Sequence, residues 1–377
     1  MERPMKKIIA TLLALIVLFS ITSCSRFYEP VESTEEEART VMTLKFGNKT
    51  YEVRYELYRA FFLTYKSEVD GGDESVWVGD NKDEYVKKID AMILDGILEI
   101  YSTLALAESL GIDPYSTEVG KKVNDYVNMS VEGGDIDGVS YPGYKSYEDY
   151  LASLKELNLN YSVQTLLFRY AIVADMIDEY YIGKLTEEDI DAGISLGQLK
   201  YTEEDVHAFY GSEDCVRLLR TFVSEEMSYD HKARAERVRD AIASVANEGE
   251  DSVRKKMIAE GSTTTVPELE NGYTLGRHTL LEAYYGKMVD AAFSLDTGEV
   301  SEVVTIHDGT QIIHYILYRA EKSEEHYEQN YSAIAYVYLR HKIGCFYNDT
   351  ETDMRESVVY TDFLKNLDRS GVSMGGR

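Results

Sequence analysis

The stretch MVDAAFSLDTGEVSEVVTIHDGTQIIHYIL, residues 288–317, decides the fold of the region around it. Its first eight residues carry apolar side chains at helical spacing and predict a short amphipathic helix. The sequence DTGE at 296–299 is typical of a turn, because Asp and Gly favour turn conformations. Alternating apolar residues then predict two strands, near 300–305 and 310–318.

Upstream residues complete a region of mixed strand and helix. The sequence CVRLLRTFV at 215–223 predicts a strand, and the segments 228–249 and 250–261 predict two helices that each end at a glycine. The dipeptide Leu275-Gly276 then precedes the helix of the quoted block. The predicted order is therefore strand, helix, helix, Leu-Gly, helix, strand, strand.

The N-terminal half is predicted to be mainly helical after an initial hairpin. Residues 42–54 alternate apolar and polar around Gly47-Asn48, which is a hairpin signal. Helical spacing begins near Tyr55, and an apolar stripe predicts a long helix over 83–110. Further helices are expected from Ser116, over 147–157 and over 162–181, and helical spacing returns after Ser323.

The first residues are typical of an export signal. A basic start, MERPMKK, precedes the apolar run IIATLLALIVLFSI, which is short for a transmembrane helix. The run ends in ITSC, residues 21–24, which resembles the lipobox of bacterial lipoproteins. That resemblance implies cleavage before Cys24, lipid attachment to its thiol, and a protein anchored on the extracytoplasmic face of the cell membrane. An ordinary secretory signal with an incidental cysteine is the alternative.

Charge and cysteine usage exclude several classes of function. The net charge is −28, and loss of the signal, with three positive charges and one negative, changes it to −30. Such a chain lacks the basic footprint that binding of nucleic acid requires. Besides Cys24, only Cys215 and Cys345 are present, at no metal-binding spacing. The two thiols are expected to be buried, with pairing left open, and no metal or other cofactor is predicted. The acidic residues 25–41 predict a flexible spacer.

The order of elements over about 216–319 resembles the parvulin family of peptidyl-prolyl isomerases, above all in AAFSL followed by GEVSEVV, with Leu275-Gly276 upstream. The N-terminal half resembles the helical chaperone domain of the SurA and PrsA foldases. The resemblance implies an α+β fold, in which C-terminal helices complete a helical chaperone domain and a small antiparallel sheet flanked by helices is inserted. The implied domains are a signal peptide (1–23), a lipidated cysteine with an acidic linker (24–42), a chaperone domain (43–211), a parvulin-like domain (212–322) and a C-terminal segment returning to the chaperone domain (323–377).

The parvulin resemblance also implies site positions. The family uses two strand histidines, together with a Met and a Phe around the proline ring. Here the histidine positions fall on Arg220 and Gln311, and the pocket positions fall near Tyr284 and Met288. His314 is three strand positions from Gln311 and is expected to face the other way, which leaves only His278 as a weak substitute.

The sequence therefore predicts a membrane-anchored folding factor whose isomerase domain looks catalytically degenerate. Its expected partners are unfolded or nascent secreted polypeptides, proline-containing segments and, through the lipid, the membrane, but not nucleic acid. An active isomerase of the same architecture is the first alternative. A solute-binding or adhesive lipoprotein is the second, although these classes favour paired α/β lobes or many strands.

Overall fold

The computed structural model describes residues 28–136, 139–184, 189–190, 196–224, 231–261, 271–279, 286–307 and 312–374. Within these residues the chain has an α+β fold with three antiparallel sheets. Its described residues form two compact units. We call residues 28–177 with 347–374 the helical unit and residues 178–346 the sheet unit. The predicted parvulin-like domain lies within the sheet unit, while the predicted domain boundaries stay predictions.

The helical unit begins with a β-hairpin and continues as helices. The hairpin turns at Gly47, whose φ of +56° suits a residue without a side chain. The C-terminal strand β9 (Val359–Tyr360) pairs with the first hairpin strand β1 (Thr40–Phe46), which also pairs with β2 (Lys49–Arg54), giving the order β2-β1-β9. The elements are β1 (Thr40–Phe46), β2 (Lys49–Arg54), α1 (Tyr55–Asp70), α2 (Lys82–Ser109), α3 (Thr117–Glu132), β3 (Gly133–Ile136), β4 (Val139–Pro142), α4 (Tyr147–Glu156) and α5 (Tyr161–Tyr181, which runs into the sheet unit).

The predicted long helix is confirmed as α2, and its apolar stripe forms the core of the helical unit. Ile89, Ile93 and Ile97 on this stripe are completely buried. Helix α1 packs on α2 where a Cβ added to Gly96 would lie 3.0 Å from the ring of Phe61. A glycine at this position lets the aromatic ring approach the helix backbone closely.

The sheet unit contains a four-stranded antiparallel sheet with helices on both faces. The strand order is β6 (Tyr273–Gly276), β5 (Cys215–Ser224), β8 (Ile312–Ala320), β7 (Val304–His307). The strand order makes β5 and β8 central. The elements are α6 (Glu203–Gly211), β5 (Cys215–Ser224), α7 (His231–Ala243), α8 (Glu250–Glu260), β6 (Tyr273–Gly276), α9 (Gly286–Ser294), β7 (Val304–His307), β8 (Ile312–Ala320), α10 (Glu324–Gln329) and α11 (Tyr331–Glu356, which runs into the helical unit). The last elements of the chain, in the helical unit, are β9 (Val359–Tyr360) and α12 (Asp362–Lys365).

The two faces of the sheet have separate cores. Helices α7 and α8 cover the face that carries Leu219, Val223 and Ile316, whereas α9 covers the face that carries Leu218 and Leu317. Residues directly opposite in an antiparallel pair share a face, so the pairing of Arg220 with Leu317 places Arg220 on the α9 face.

The order of elements predicted from the sequence around the quoted block is confirmed where the chain is described.

Three local predictions need correction. The first strand of the quoted block begins later than predicted, at Val304, because residues 300–303 make only an isolated bridge between Val300 and Tyr318. The helix predicted over 228–249 is described only as α7, and a 3-10 turn follows at Ala246–Glu248. The third concerns the acidic segment before β1.

The second half of the acidic segment is held against α1 and is not a free spacer. A carboxylate oxygen of Glu37 lies 2.6 Å from the guanidinium of Arg59, whose side chain is buried, and the hydroxyl of Ser33 donates to buried Glu56 at 2.5 Å. Burial opposes ionisation of Glu37, but hydrogen bonds from Thr34 and the Arg59 guanidinium outweigh it and lower the pKa of Glu37 to about 2. A buried arginine needs an acidic partner. The acidic composition of the segment does not reveal that Glu37 is that partner.

All described strand pairs are antiparallel, which does not fit the paired α/β lobes of the solute-binding alternative. None of the helices in the described ranges has the length and apolar character needed to cross a membrane. The predicted signal and Cys24 lie outside those ranges.

Candidate functional site

Two of the four predicted family-site residues, Arg220 and Met288, lie in the described part of the sheet unit. The structure brings them together although 68 positions separate them in sequence: Nη1 of Arg220 lies 4.0 Å from Sδ of Met288. Arg220 is half-buried on β5, and Met288 is almost completely buried on α9. The other two predicted residues, Tyr284 and Gln311, lie outside the described residues, so their positions stay predictions.

Two tyrosines hold the guanidinium of Arg220 from the flanking strands. Its central carbon lies 4.7 Å from the ring centroid of Tyr273 on β6 and 5.7 Å from that of Tyr315 on β8. Leu218 pairs with Tyr273, and Phe222 pairs with Tyr315, so both rings lie diagonally across from Arg220 on the same face. The result is a cation placed over two π faces.

Sequence reasoning missed both tyrosines, because their positions next to Arg220 depend on strand register. Tyr315 is two residues from Leu317, the partner of Arg220, and such diagonal neighbours are within reach of long side chains. Finding Tyr273 required the register between β5 and β6, which local periodicity does not fix.

This arrangement favours binding over proton transfer. The guanidinium of Arg220 stays charged at all physiological pH values and has no acceptor, so it cannot serve as a general base. The N–H groups of an arginine can donate to a carbonyl oxygen, such as that of a bound peptide, whereas Met288 beside it belongs to the core under α9.

The two nearby histidines have other positions. His314 is buried on the face covered by α7 and α8, opposite Val223, and its Nδ1 lies 2.9 Å from the Thr305 hydroxyl. The expectation that it faces away from the predicted site is confirmed with respect to Arg220. The backbone N–H of His278 donates to Nδ1 of His341 on α11 at 3.2 Å, so this turn packs on α11.

A cavity of about 270 Å³ lies beside the end of α9, in another part of the sheet unit. Its lining includes Leu295 and the segment 299–304, but neither Arg220 nor Met288. It therefore does not coincide with the predicted site.

The two described cysteines are free thiols. Cys215 is completely buried, and this burial raises the pKa of its thiol to about 12, so the group is a poor nucleophile. Sγ of Cys345 lies 3.6 Å from Nε2 of His341, and burial lowers the pKa of that imidazole to about 4. The neutral imidazole gives no electrostatic support to a Cys345 thiolate. No group of three potential metal ligands occurs within the described ranges.

The helical unit uses several of its tyrosines as core. Tyr58 and Tyr65 on α1 are completely buried, and Tyr101 on α2 is nearly so. Burial raises the pKa of each phenol. These three residues therefore belong to the core of the helical unit and do not line an exposed groove.

Comparison with protein-family models finds no match, and comparison with curated proteins finds none either. Among solved structures, the chain is similar to the foldase protein PrsA from Streptococcus pneumoniae and to the foldase protein PrsA from Lactococcus lactis. The first match has 13% sequence identity and a TM-score of 0.23 and covers 83% of this chain and 93% of the other. The second has the same identity and TM-score and covers 89% and 99%. Superpositions of this quality carry no functional argument, so the α+β class rests on the strands and helices themselves.

Proposed function

We propose that the protein is a membrane-anchored folding factor for secreted polypeptides, with a parvulin-like domain that binds peptide and catalyses prolyl isomerisation weakly or not at all. The observation that carries this proposal is the geometry around Arg220. The family-site positions on β5 and α9 lie together on one face of a four-stranded antiparallel sheet, as a parvulin-like domain requires. The residue at the histidine position, however, is a permanently charged arginine between two tyrosine rings.

The decisive experiment is a protease-coupled isomerisation assay on proline-containing tetrapeptides. We expect the full chain to stay within about twofold of the uncatalysed rate, because Arg220 and Gln311 stand where the parvulin family uses the two histidines that organise the hydrogen bonds around the twisting amide. The double variant Arg220→His with Gln311→His should raise the rate if the pocket still accepts a proline ring. Adding Met288→Ala to it should remove the gain, since Met288 would form a pocket wall.

An active isomerase is the second candidate, and one observation favours it. Nη1 of Arg220 lies 4.0 Å from Sδ of Met288, which puts a hydrogen-bond donor next to a predicted pocket position. Even a hundredfold acceleration requires only about 2.7 kcal/mol of barrier lowering, which is within reach of charge-assisted hydrogen bonds. A wild-type rate a hundredfold above background, lost in Arg220→Ala, would establish this candidate and refute the degenerate one.

The helical unit is the proposed site of chaperone activity. The full chain should slow aggregation of several unrelated unfolded proteins, basic ones included, because its net charge of −28 attracts basic segments and keeps complexes soluble. Bovine serum albumin at equal mass, also acidic, is the control for crowding and charge. Aggregation as fast as in the albumin control, for every substrate tested, would count against a folding factor.

The membrane anchor is proposed from ITSC at residues 21–24. Cys24→Ala should prevent lipidation and either release the protein into the soluble fraction or leave the signal uncleaved. Mass spectrometry of the mature N-terminus reads this directly. Identical N-termini in wild type and variant would contradict lipidation, whereas Cys24→Ser with an unlipidated but normally cleaved terminus would point to an ordinary secretory signal.

A further inference from the structure

Four tyrosines of the helical unit come together around the first turn of α4. Tyr147 and Tyr150 lie on one face of that helix, with ring centroids 6.1 Å apart. Tyr144 precedes the helix and lies 5.6 Å from Tyr150, and Tyr161, at the start of α5, lies 6.4 Å from Tyr147. We call these four residues the tyrosine cradle. Tyr150 and Tyr161 are buried, while Tyr144 is 41% exposed, so the cradle reaches the surface.

A segment of the chain's own N-terminal region occupies the cradle. The ring of Tyr28 stacks on Tyr147 with centroids 4.8 Å apart, and the Tyr147 hydroxyl donates to the backbone carbonyl of Glu29 at 2.9 Å. The hydroxyl of Tyr28 donates to the exposed carboxylate of Glu132 at 3.2 Å. Residues 28–34 belong to no helix or strand. The cradle therefore holds an irregular chain through one aromatic ring and one main-chain carbonyl.

The chemistry of these contacts suits an unfolded polypeptide. A carbonyl is present at every residue, so a hydroxyl that binds it does not select a sequence. Ring stacking selects only an aromatic side chain and adds contact area with a polar edge.

A second, independent feature of the cradle points to a ligand. Tyr150 is only 3% exposed, yet its hydroxyl has no hydrogen-bond partner among the described residues. Buried polar groups are nearly always paired, and an unpaired one is costly. A bound chain that brings another carbonyl to this hydroxyl would complete the pairing, which the two-residue contact of Tyr28 and Glu29 does not do.

We propose that the tyrosine cradle is a binding site for extended polypeptide carrying an aromatic residue beside an accessible main-chain carbonyl, and that Tyr28–Glu29 occupies it as an internal competitor. This inference rests on the proposed function as a folding factor and assigns its client site. The competitor is short, so it weakens client binding without abolishing it. Because the competitor is part of the same chain, its effective concentration is in the millimolar range. A client must therefore bind more tightly than the competitor does, by contacting more of the cradle.

The first test measures binding of reduced, carboxamidomethylated lysozyme, a basic unfolded protein, to the full chain. Fluorescence anisotropy in about 0.3 M NaCl is suitable, because salt screens attraction to the net negative charge. We expect Tyr28→Ala to tighten binding about fivefold by removing the competitor's ring. Tyr147→Ala in that background should weaken it at least about tenfold, and Tyr147→Phe, which keeps the ring, about threefold.

The matched control is Tyr336→Ala, which removes a 46%-exposed tyrosine of the sheet unit and should leave the affinity unchanged. Far-ultraviolet circular dichroism identifies any variant that fails to fold. If Tyr28→Ala weakens binding or leaves it unchanged while wild type binds lysozyme, the internal competitor is refuted and the folding-factor proposal stands.

The second test does not require chaperone activity. A dye-labelled hexapeptide of residues 28–33, YEPVES, is added in trans to wild type, to Tyr28→Ala and to Tyr28→Ala with Tyr147→Ala. The inference expects binding to the Tyr28→Ala chain at least about fivefold tighter than to the other two. Such binding without any lysozyme binding would support the cradle and refute the folding-factor proposal. Equal affinities for all three chains would overturn the cradle itself.

Discussion

The two faces of the four-stranded sheet hold their arginines in opposite ways. Arg217 and Arg220 are three residues apart on β5, so one faces α7 and α8 and the other faces α9. Two guanidinium nitrogens of Arg217 each lie 2.8 Å from a carboxylate oxygen of Glu250, and Arg217 also donates to the backbone carbonyls of Glu321 and Asn271. The contacts of Arg220 on the other face include two rings and a thioether.

The difference separates a structural arginine from one suited to a ligand. Two parallel hydrogen bonds to a carboxylate, with two more to backbone carbonyls, fix the orientation of the Arg217 guanidinium. Replacing these acceptors by a ligand would lower the stability of the fold. Aromatic faces and a methionine sulfur attract a cation with little directional demand. The α7/α8 face therefore stabilises the sheet unit, while the α9 face carries the predicted site.

The largest expected effect follows from breaking the pair on the α7/α8 face. Arg217→Ala leaves the Glu250 carboxylate short of a partner and removes donors from two carbonyls, so we expect a loss of about 3–5 kcal/mol of unfolding free energy. Urea denaturation followed by circular dichroism measures it. The matched control, Arg254→Ala, removes the more exposed partner of the same carboxylate and should cost about 0.2–1 kcal/mol.

A double variant tests whether the lower unfolding free energy comes from the missing ion pair or from the Glu250 carboxylate left without Arg217. Replacing both Arg217 and Glu250 by Met should cost clearly less than Arg217→Ala alone, because no charge is left without its partner. If the double variant is as unstable as the single one, the backbone carbonyls of Glu321 and Asn271 that lose their donor explain the effect instead, because methionine keeps an apolar stem in place.

A smaller effect is expected where α8 ends on the same face. A Cβ added to Gly261 would lie 1.9 Å from the hydroxyl oxygen of Thr221 on β5 and 2.7 Å from the carbonyl oxygen of Met257. Gly261→Ala should therefore cost about 1–3 kcal/mol, which urea denaturation would detect. Thr221→Ala in the same chain should restore part of it. Gly211→Ala, where a Cβ meets nothing within 4 Å, should be neutral.

The sheet unit should also be sensitive to pH through His326 on α10. Burial, with the positive charge of Arg217, lowers the pKa of His326 to about 4, against about 6.5 in the unfolded chain. The unfolded chain thus takes up the proton first, so this stability is complete above pH 6.5 and is lost as pH falls towards 4. Between pH 7.5 and 5, His326→Gln should lose less unfolding free energy than wild type. Parallel losses would contradict the assignment.

Much of the fold follows from local patterns, whereas the site does not. The hairpin at Gly47, the stripe of α2 and the element order around β5 follow from periodicity and turn residues, which act over a few positions. The clamp of Tyr273 and Tyr315 on Arg220, the pairing of Glu37 with Arg59 and the tyrosine cradle join residues distant in sequence. Their contacts depend on strand register and helix packing, to which a single sequence gives no direct access.

The smallest expected effect on stability comes from the arginine of the α9 face. Arg220→Ala removes two cation–π contacts and some packing of the side-chain stem, and we expect a cost of about 1 kcal/mol, well below that of Arg217→Ala. Arg220→Met keeps the stem and should cost still less. Urea denaturation of the three variants in one buffer measures the difference between the faces. A cost for Arg220→Ala equal to that for Arg217→Ala would show that both arginines are structural. It would also remove the physical reason for placing peptide binding on the α9 face, since a guanidinium essential to the fold could not turn to a ligand without a similar loss.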